Sequence, residues 1–315
     1  MNILVTGGAG FIGSHLILKL LEEGHEVVCV DNMNAYYDPA LKEARLNLFR
    51  DRITFYQVDI ADTEALEGVF KAHSFDKICH LAAQAGVRYS LENPFVYGTS
   101  NVVGSINVFE FAKRYRAAHV VFASSSSVYG KSVDMPFKED DPAVSPVAVY
   151  GASKRAGELL ASAYVHLFGL DITCLRFFSV YGPYGRPDMA LFKFTKAILE
   201  DTPIDVYNSG EMKRDFTYVD DIVAGFMAAL KKPMGFAIFN LGHGKSVWLL
   251  DFIKVIEKKL GKKAKMNMLP MQPGDVPETF ADTTKAKKLL GFEANVSVEE
   301  GVGKFVDWYR SYYGV

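Results

Sequence analysis

The sequence predicts an α/β protein built on a doubly wound parallel sheet, and three observations predict it. Short runs rich in branched apolar residues alternate with longer helical patterns. The first run leads directly into a glycine-rich turn that opens a helix. The chain has 315 residues, 49% of them hydrophobic, which is enough to bury a large core.

Taken in order, strands are expected at Asn2–Thr6, Glu26–Val30, Thr54–Val58, Lys77–Leu81, His119–Ser124 and Ile172–Phe177. Helices are expected at Phe11–Glu23, Ala40–Phe49, Thr63–Ala72, Pro94–Arg114 and Tyr150–Phe168. In such a sheet ligands bind at the C-terminal ends of the strands. After Arg176 the loops lengthen and gain Gly, Pro and charge, at Tyr181–Asp188, Asn208–Asp215 and Gln272–Pro277. This predicts a sheet domain over 1–176 and a smaller α/β lobe over 177–315. The stretch Val219–Asn240 reads as helix then strand and is expected to return to the first domain.

Composition excludes several classes. The net charge of −2 gives no general attraction for nucleic acid, so an anionic substrate needs local basic residues. The three cysteines, Cys29, Cys79 and Cys174, lie far apart in apolar runs and read as reduced buried thiols, which fits a cytoplasmic protein. No Cys-x-x-Cys or His-Glu-x-x-His spacing supports a metal site. No apolar stretch approaches the ~20 residues of a membrane span, and no leader precedes the first strand, so the chain is expected to be soluble and unprocessed. His80 reads as a core histidine, and Lys258–Lys265 as a solvated face.

The first strand runs into Gly7-Gly8-Ala9-Gly10-Phe11-Ile12-Gly13, a G-x-x-G-x-x-G turn. A dinucleotide pyrophosphate requires a sharp turn, close backbone approach and free N–H groups at a helix N-terminus, and glycine permits all three. The second strand ends at Asp31, 18 residues beyond Gly13, where a carboxylate can accept from the adenosine ribose. That carboxylate repels a 2′-phosphate, and Asn32-Met33-Asn34 supplies no arginine to receive one, so NAD is expected over NADP. Asp59 and Ile60 end the third strand, within reach of the adenine. Leu81-Ala82-Ala83-Gln84 ends the fourth, its small residues leaving room for the cofactor. This is a Rossmann-type arrangement.

Tyr150 and Lys154 form Y-x-x-x-K at the start of a helix, one turn apart and on one face. A tyrosine near pKa 10 is a poor base at neutral pH. An ammonium and a positive nicotinamide ring both favour its phenolate, tuning it for proton transfer with a hydroxyl. The fifth strand ends in Ser124-Ser125-Ser126-Ser127, then Val128-Tyr129-Gly130, placing four hydroxyls where ligands bind.

These motifs resemble the extended short-chain dehydrogenase/reductase family, and within it the nucleotide-sugar epimerases and dehydratases, over nearly the whole chain. The resemblance implies that Tyr150 is the acid/base, Lys154 its support and Ser125, 25 residues earlier, the partner of the reacting hydroxyl. Ser100-Asn101-Val102 matches a Thr-Asn-Val segment, which puts Asn101 among the cofactor residues. Arg214-Asp215-Phe216 through Val219 to Asp221 matches a segment whose arginine grips the diphosphate. Tyr207 corresponds to the aromatic that packs on the base, and Asp275 of Gly274-Asp275 to a ribose contact. Arg88 follows the fourth strand, near where substrate is expected. The resemblance further implies a homodimer through a four-helix bundle, with Val102, Ile106, Phe109, Leu159, Leu160, Ala163 and Leu167 as candidate apolar contacts.

Two places narrow the class. Dehydratases of the family carry an Asp-Glu pair before Val-Tyr-Gly, and the related decarboxylases a glutamate at the second position; here both positions are serine, Ser126 and Ser127. That favours an epimerase. Arg186-Pro187-Asp188-Met189-Ala190, Gln272 to Pro277 and Asn34 to Asp38 look like the UDP-glucuronate 4-epimerases. Galactose epimerases usually carry asparagine at Ser179 and arginine at Gln272. The implied reaction is NAD-dependent inversion at C4 through a 4-keto sugar, with UDP-glucuronate becoming UDP-galacturonate. A 4-keto uronate is a β-keto acid and loses CO₂ when its C5–C6 bond aligns with the carbonyl π system. Ser126, Ser127 and Ser179 are expected to hold the carboxylate out of that alignment by directional hydrogen bonds. Arg186, Met189 and Ala190 complete the expected substrate residues. Two alternatives stand beside this: a UDP-glucose or UDP-N-acetylglucosamine 4-epimerase, and a non-catalytic NAD-binding regulator.

Overall fold

The computed structural model describes residues 1–132 and 134–315. Its centre is a seven-stranded parallel sheet. The strands are β1 (Asn2–Thr6), β2 (Glu26–Asp31), β3 (Thr54–Gln57), β4 (Lys77–His80), β5 (His119–Ser125), β6 (Ile172–Phe177) and β7 (Phe236–Leu241). In space they run β7-β6-β5-β4-β1-β2-β3, every pair parallel. The order reverses between β4 and β1, which opens a crevice at their C-terminal ends.

The period of two along each strand divides the core. Ile3 and Val5 of β1, Val27 and Cys29 of β2, and Val121 and Ala123 of β5 face one cluster. Leu4, Val28, Val30, Val120 and Phe122 face the other. The first cluster is closed by α1 (Phe11–Glu22) through Leu16, Ile17 and Leu20, and by the helix Val219–Lys231 through Ile222 and Phe226. The second is closed by α2 (Thr63–Ala72), α3 (Gly104–Arg114) and α4 (Val149–Phe168). Parallel strands covered on both faces are apolar throughout, which is why these runs read so clearly.

Local chemistry sets the helix ends. Asp62 caps α2 by accepting from the Ala65 N–H, and Gly169, at φ 67°, ends α4. The helix expected over Pro94–Arg114 is interrupted. A short turn at Phe95–Tyr97 passes into a π-helical segment at Gly98–Val103 before α3 begins. That segment turns Asn101 inward, where its side chain binds the backbone of Gln84. Phe109 faces the core, fully buried beside His80 and Phe122, and is not available to a partner.

Beyond β6 the chain makes three small sheets that period reading does not find. Ser179–Tyr181 pairs with Phe216–Tyr218, Ile204–Tyr207 with Met266–Leu269, and Lys213–Arg214 with Val247–Trp248 and Glu278–Thr279. No helix among the described residues is long and apolar enough to cross a membrane. All three cysteines are buried and free.

Candidate active site

The crevice at the strand ends is one continuous cleft. It is lined by Gly7, Gly10, Phe11, Ile12, Gly13, Asp31, Asn32, Asp59, Ile60, Leu81, Ala82, Ala83, Gln84, Ser125, Tyr150, Lys154, Arg186 and Met189, among others. Of the residues expected at the cofactor, Asn101 alone is off this lining. Its side-chain oxygen accepts from Gln84 N–H at 2.7 Å, and its amide donates to Gln84 O at 3.0 Å and Ser153 Oγ at 2.9 Å. It shapes the cleft wall from behind.

The glycine turn is built by exclusion. Gly7 sits at φ 76°, and a Cβ there would lie 2.6 Å from the Ala82 nitrogen. A Cβ on Gly13 would lie 2.2 Å from the Gly7 carbonyl oxygen. The turn therefore packs backbone on backbone and leaves the N-terminus of α1 open to the cleft. Asp31 holds the turn as well as facing the cleft: its carboxylate accepts from Ala9 N–H at 3.1 Å and Met33 N–H at 2.9 Å. Asn32 donates to Asp59 at 2.9 Å and joins the ends of β2 and β3.

Tyr150 and Lys154 enter the cleft from the first turns of α4. That helix lies close to β5, since a Cβ on Gly157 would sit 2.5 Å from the Phe122 ring. Lys154 Nζ donates to Ala123 O at 2.7 Å. Burial pushes its pKa down to about 7, partly offset by Glu158 one turn on. Burial also raises the phenol of Tyr150, opposed by a hydrogen bond with Ser125 and the charge of Arg186. Burial outweighs both lowering groups, so in the chain alone the phenol stands above its ordinary value, opposite to the lowering expected from sequence. Ser125 accepts from Ser127 N–H at 3.2 Å and caps the turn Ser126–Val128.

Glu158 anchors this wall. It is fully buried, accepts two hydrogen bonds from Arg176 at 2.9 Å each, and accepts from Ser124 Oγ at 2.6 Å. His80 is a satisfied core histidine: Thr6 Oγ1 lies 2.8 Å from its Nδ1 and Ser105 Oγ 3.1 Å from its Nε2. Burial drives its pKa down to about 3, so it stays neutral.

The residues expected at the substrate fall into three groups. Arg186 and Met189 line the main cleft, and with Ser179 and Ala190 they line a smaller adjoining cavity. Arg186 is paired with Asp188, which also accepts from Tyr36 at 3.2 Å. Ser126 and Ser127 sit half-buried just past the cleft-lining Ser125. Arg88, Tyr207, Arg214 and Asp275 form a separate cluster. The Arg88 guanidinium lies 4.4 Å from the Tyr207 ring centre and 3.3 Å from the Asp275 carboxylate. Arg214 feels the charges of both Asp275 and Arg88 and donates to the Pro277 carbonyl. Its neighbour Asp215 is structural. That buried carboxylate accepts from Thr217 Oγ1 and from the backbone N–H groups of His243, Gly244 and Ala281.

Sequence reading missed two basic residues. Arg45 is fully buried and donates to Ala9 O at 3.2 Å and Tyr184 O at 2.7 Å, tying the glycine turn to the loop after Ser179–Tyr181. Lys42, one turn earlier on the helix Pro39–Asn47, lies 3.6 Å from Asp31. In sequence both are ordinary members of a charged helix.

Fold and cleft together define an enzyme of the nucleotide-dependent α/β class, with a tyrosine–lysine pair beside a dinucleotide turn. The family model of the NAD dependent epimerase/dehydratase family matches residues 3–242, and the chain belongs to that family. A UDP-glucuronate 4-epimerase of Thermodesulfobacterium geofontis is 47% identical over 311 residues, covering 98% of this chain and 95% of that protein. The crystal structure of UDP-glucuronic acid 4-epimerase from Bacillus cereus, in complex with UDP-glucuronic acid and NAD, superposes with a TM-score of 0.93 at 36% identity, covering 99% of this chain and 100% of that one. A UDP-glucose 4-epimerase from Thermotoga maritima, with UDP-glucose, gives 0.91 at 34% identity, covering 99% and 100%.

Proposed function

We propose that this enzyme inverts C4 of UDP-glucuronate to give UDP-galacturonate. The observation that carries the reading is the gathering of Ser125, Tyr150 and Lys154 against the glycine turn, with serines and no acid at positions 126 and 127. The glycine turn, Asp31, Asn32, Asp59, Ile60 and Leu81 to Gln84 fit NAD, since the backbone cradle admits no Cβ. Held by these residues, NAD would supply the hydride acceptor and donor for C4 of the sugar.

The chain's own residues do the rest. Tyr150 takes the proton of the 4-hydroxyl and later gives it back, with Ser125 orienting that hydroxyl. Lys154, fixed by Ala123 O, supports the phenolate. Arg214 and Arg88 serve the diphosphate, Tyr207 the base and Asp275 the ribose. Arg186, Ser179, Met189 and Ala190 bound the sugar chamber. Arg186 joins Ser126 and Ser127 as a holder of the uronate carboxylate, because it lines the cleft with Tyr150 and its guanidinium is oriented by Asp188. The likeness to a UDP-glucose epimerase keeps neutral hexoses as the second reading.

The exposed apolar residues Phe95, Val103, Leu159, Leu167 and Phe168 support a homodimer through α4 and the helical run 95–103 that leads into α3. Light scattering at micromolar concentration should give twice the chain mass of 35.0 kDa; a monomer would remove this part of the proposal. For the activity, the purified protein is incubated with UDP-glucuronate, UDP-glucose and UDP-N-acetylglucosamine and the products separated. UDP-galacturonate as the main product supports the reading. Conversion of the neutral sugars alone would replace it.

A further inference from the structure

We infer that Lys42 is a second determinant of cofactor choice: a buried ammonium beside Asp31 that receives a 2′-phosphate once Asp31 is neutralised. The inference rests on the reading of the cleft as the NAD site.

Lys42 is only 6% exposed, and lysine is rarely buried without a partner. Its ammonium donates to Asn34 Oδ1 at 3.0 Å and lies 3.6 Å from Asp31 Oδ1. Lys42, Asn34 and Asp31 all line the cleft. The helix Pro39–Asn47, capped by Asp38 through Ala40 N–H, fixes where that charge stands.

Asp31 therefore acts in three ways. It receives the Ala9 and Met33 N–H groups, it neutralises Lys42, and its remaining acceptor capacity suits neutral ribose hydroxyls. In this arrangement the cation and the carboxylate cancel, and the site prefers an uncharged 2′ position. A phosphate monoester brings a charge of roughly −1.5 to −2 at neutral pH. Against Asp31 that charge is repelled. With Asp31 neutral, the same pocket presents one uncompensated ammonium, a good point-charge partner for phosphate. The absence of arginine in Asn32-Met33-Asn34 thus does not exhaust the basic groups of this corner; the cation arrives from the next helix.

The test measures dissociation constants by calorimetry for NAD and NADP, and for the fragments ADP and 2′,5′-ADP. The proteins are the parent, Asp31→Asn, Lys42→Met and the double variant. Asp31→Ser stands in if the asparagine variant melts early, and melting is followed for each protein. Asp31→Asn should shift preference toward the 2′-phosphorylated ligands by about 100-fold, and Lys42→Met added to it should remove at least about tenfold of that gain. Lys42→Arg in the Asp31→Asn background should keep the gain. Equal binding of 2′,5′-ADP by Asp31→Asn with and without Lys42 would overturn the inference, leaving Lys42 as a plain counter-charge. If no Asp31 variant alters binding of any of the four ligands, the assignment of the cleft to NAD fails instead, a separate result.

Discussion

On the cofactor side of the cleft, the glycine turn, Asp31 and the pair Tyr150/Lys154 stand at the ends of regular strands or in the first turns of helices that follow them. In the separate cluster proposed for the sugar nucleotide, Arg88 and Asp275 sit in loops, and Tyr207 and Arg214 in strands of four and two residues. The first side is held by the sheet: Thr6, His80, Ser105, Asn101 and Ser153 link β1 to α4 through buried hydrogen bonds. The second is held by contacts between its own functional groups, such as Arg88 with Asp275. A side built into a sheet acts through positions fixed before ligand arrives. A side built from loops spends part of its binding energy on rearranging its own partners.

This contrast orders the expected effects. Tyr150→Phe removes only the proton-transfer oxygen from a rigid frame. It should fold normally, bind both ligands and lose about 10²–10⁴-fold in kcat, measured by product formation. Near-normal turnover would break the assignment of the rigid side as the chemical side.

Lys154→Met should also be severely impaired, with activity partly recovered at high pH as Tyr150 ionises unaided. The lysine makes a stability prediction too. Its pKa falls from 10.5 to about 7 on folding, so the unfolded chain binds more protons between those values. The parent should therefore gain stability relative to Lys154→Met as pH rises from 7 toward 10, by up to a few kcal/mol at ~1.4 kcal/mol per pKa unit. Denaturant melts of both proteins at pH 6 and pH 9.5 check the sign; a gap independent of pH would contradict it.

Adjacent residues on the loop side separate recognition from structure. Asp215→Asn turns one of the two carboxylate oxygens into a donor facing one or two of the three backbone N–H groups and should cost about 1–3 kcal/mol of stability. Arg214→Ala should leave the melt nearly unchanged and raise KM for the sugar nucleotide about tenfold or more. Equal destabilisation by both would show that the arginine is a fold element.

The smallest effect on rate, and the most informative on products, belongs to Ser126→Ala combined with Ser127→Ala. The 4-keto sugar should still form. A looser carboxylate should then give less UDP-galacturonate and a measurable share of decarboxylated 4-keto pentose. Loss of rate without that product would leave carboxylate control to Arg186 and Ser179.

The same contrast explains what was legible in sequence. The six strands first read from the alternation are all present, with ends displaced by no more than one residue, because doubly covered parallel strands carry a strong apolar signal. The glycine turn and Y-x-x-x-K are local motifs, so chain order alone brings them to one place. Asn101 was placed by a segment match, which gives its position along the chain but not the hydrogen bonds its side chain makes with Gln84. The interruption at Gly98–Val103 leaves no periodic mark, since a π-turn keeps helical composition. Lys42 and Arg45 were missed because their partners, Asp31 and Tyr184, meet them only after folding. The short strands of the loop side are below the length at which a period can be read.

The central claim is inversion at C4 by internal return of the same hydrogen, with Tyr150 moving only the hydroxyl proton. UDP-glucuronate carrying deuterium at C4 tests it most directly, incubated with the protein in ordinary water and analysed by proton NMR and mass spectrometry. UDP-galacturonate should form with the deuterium still on C4 and none gained or lost at C5. Loss of the label to solvent, or recovery of unchanged UDP-glucuronate alone, would contradict it.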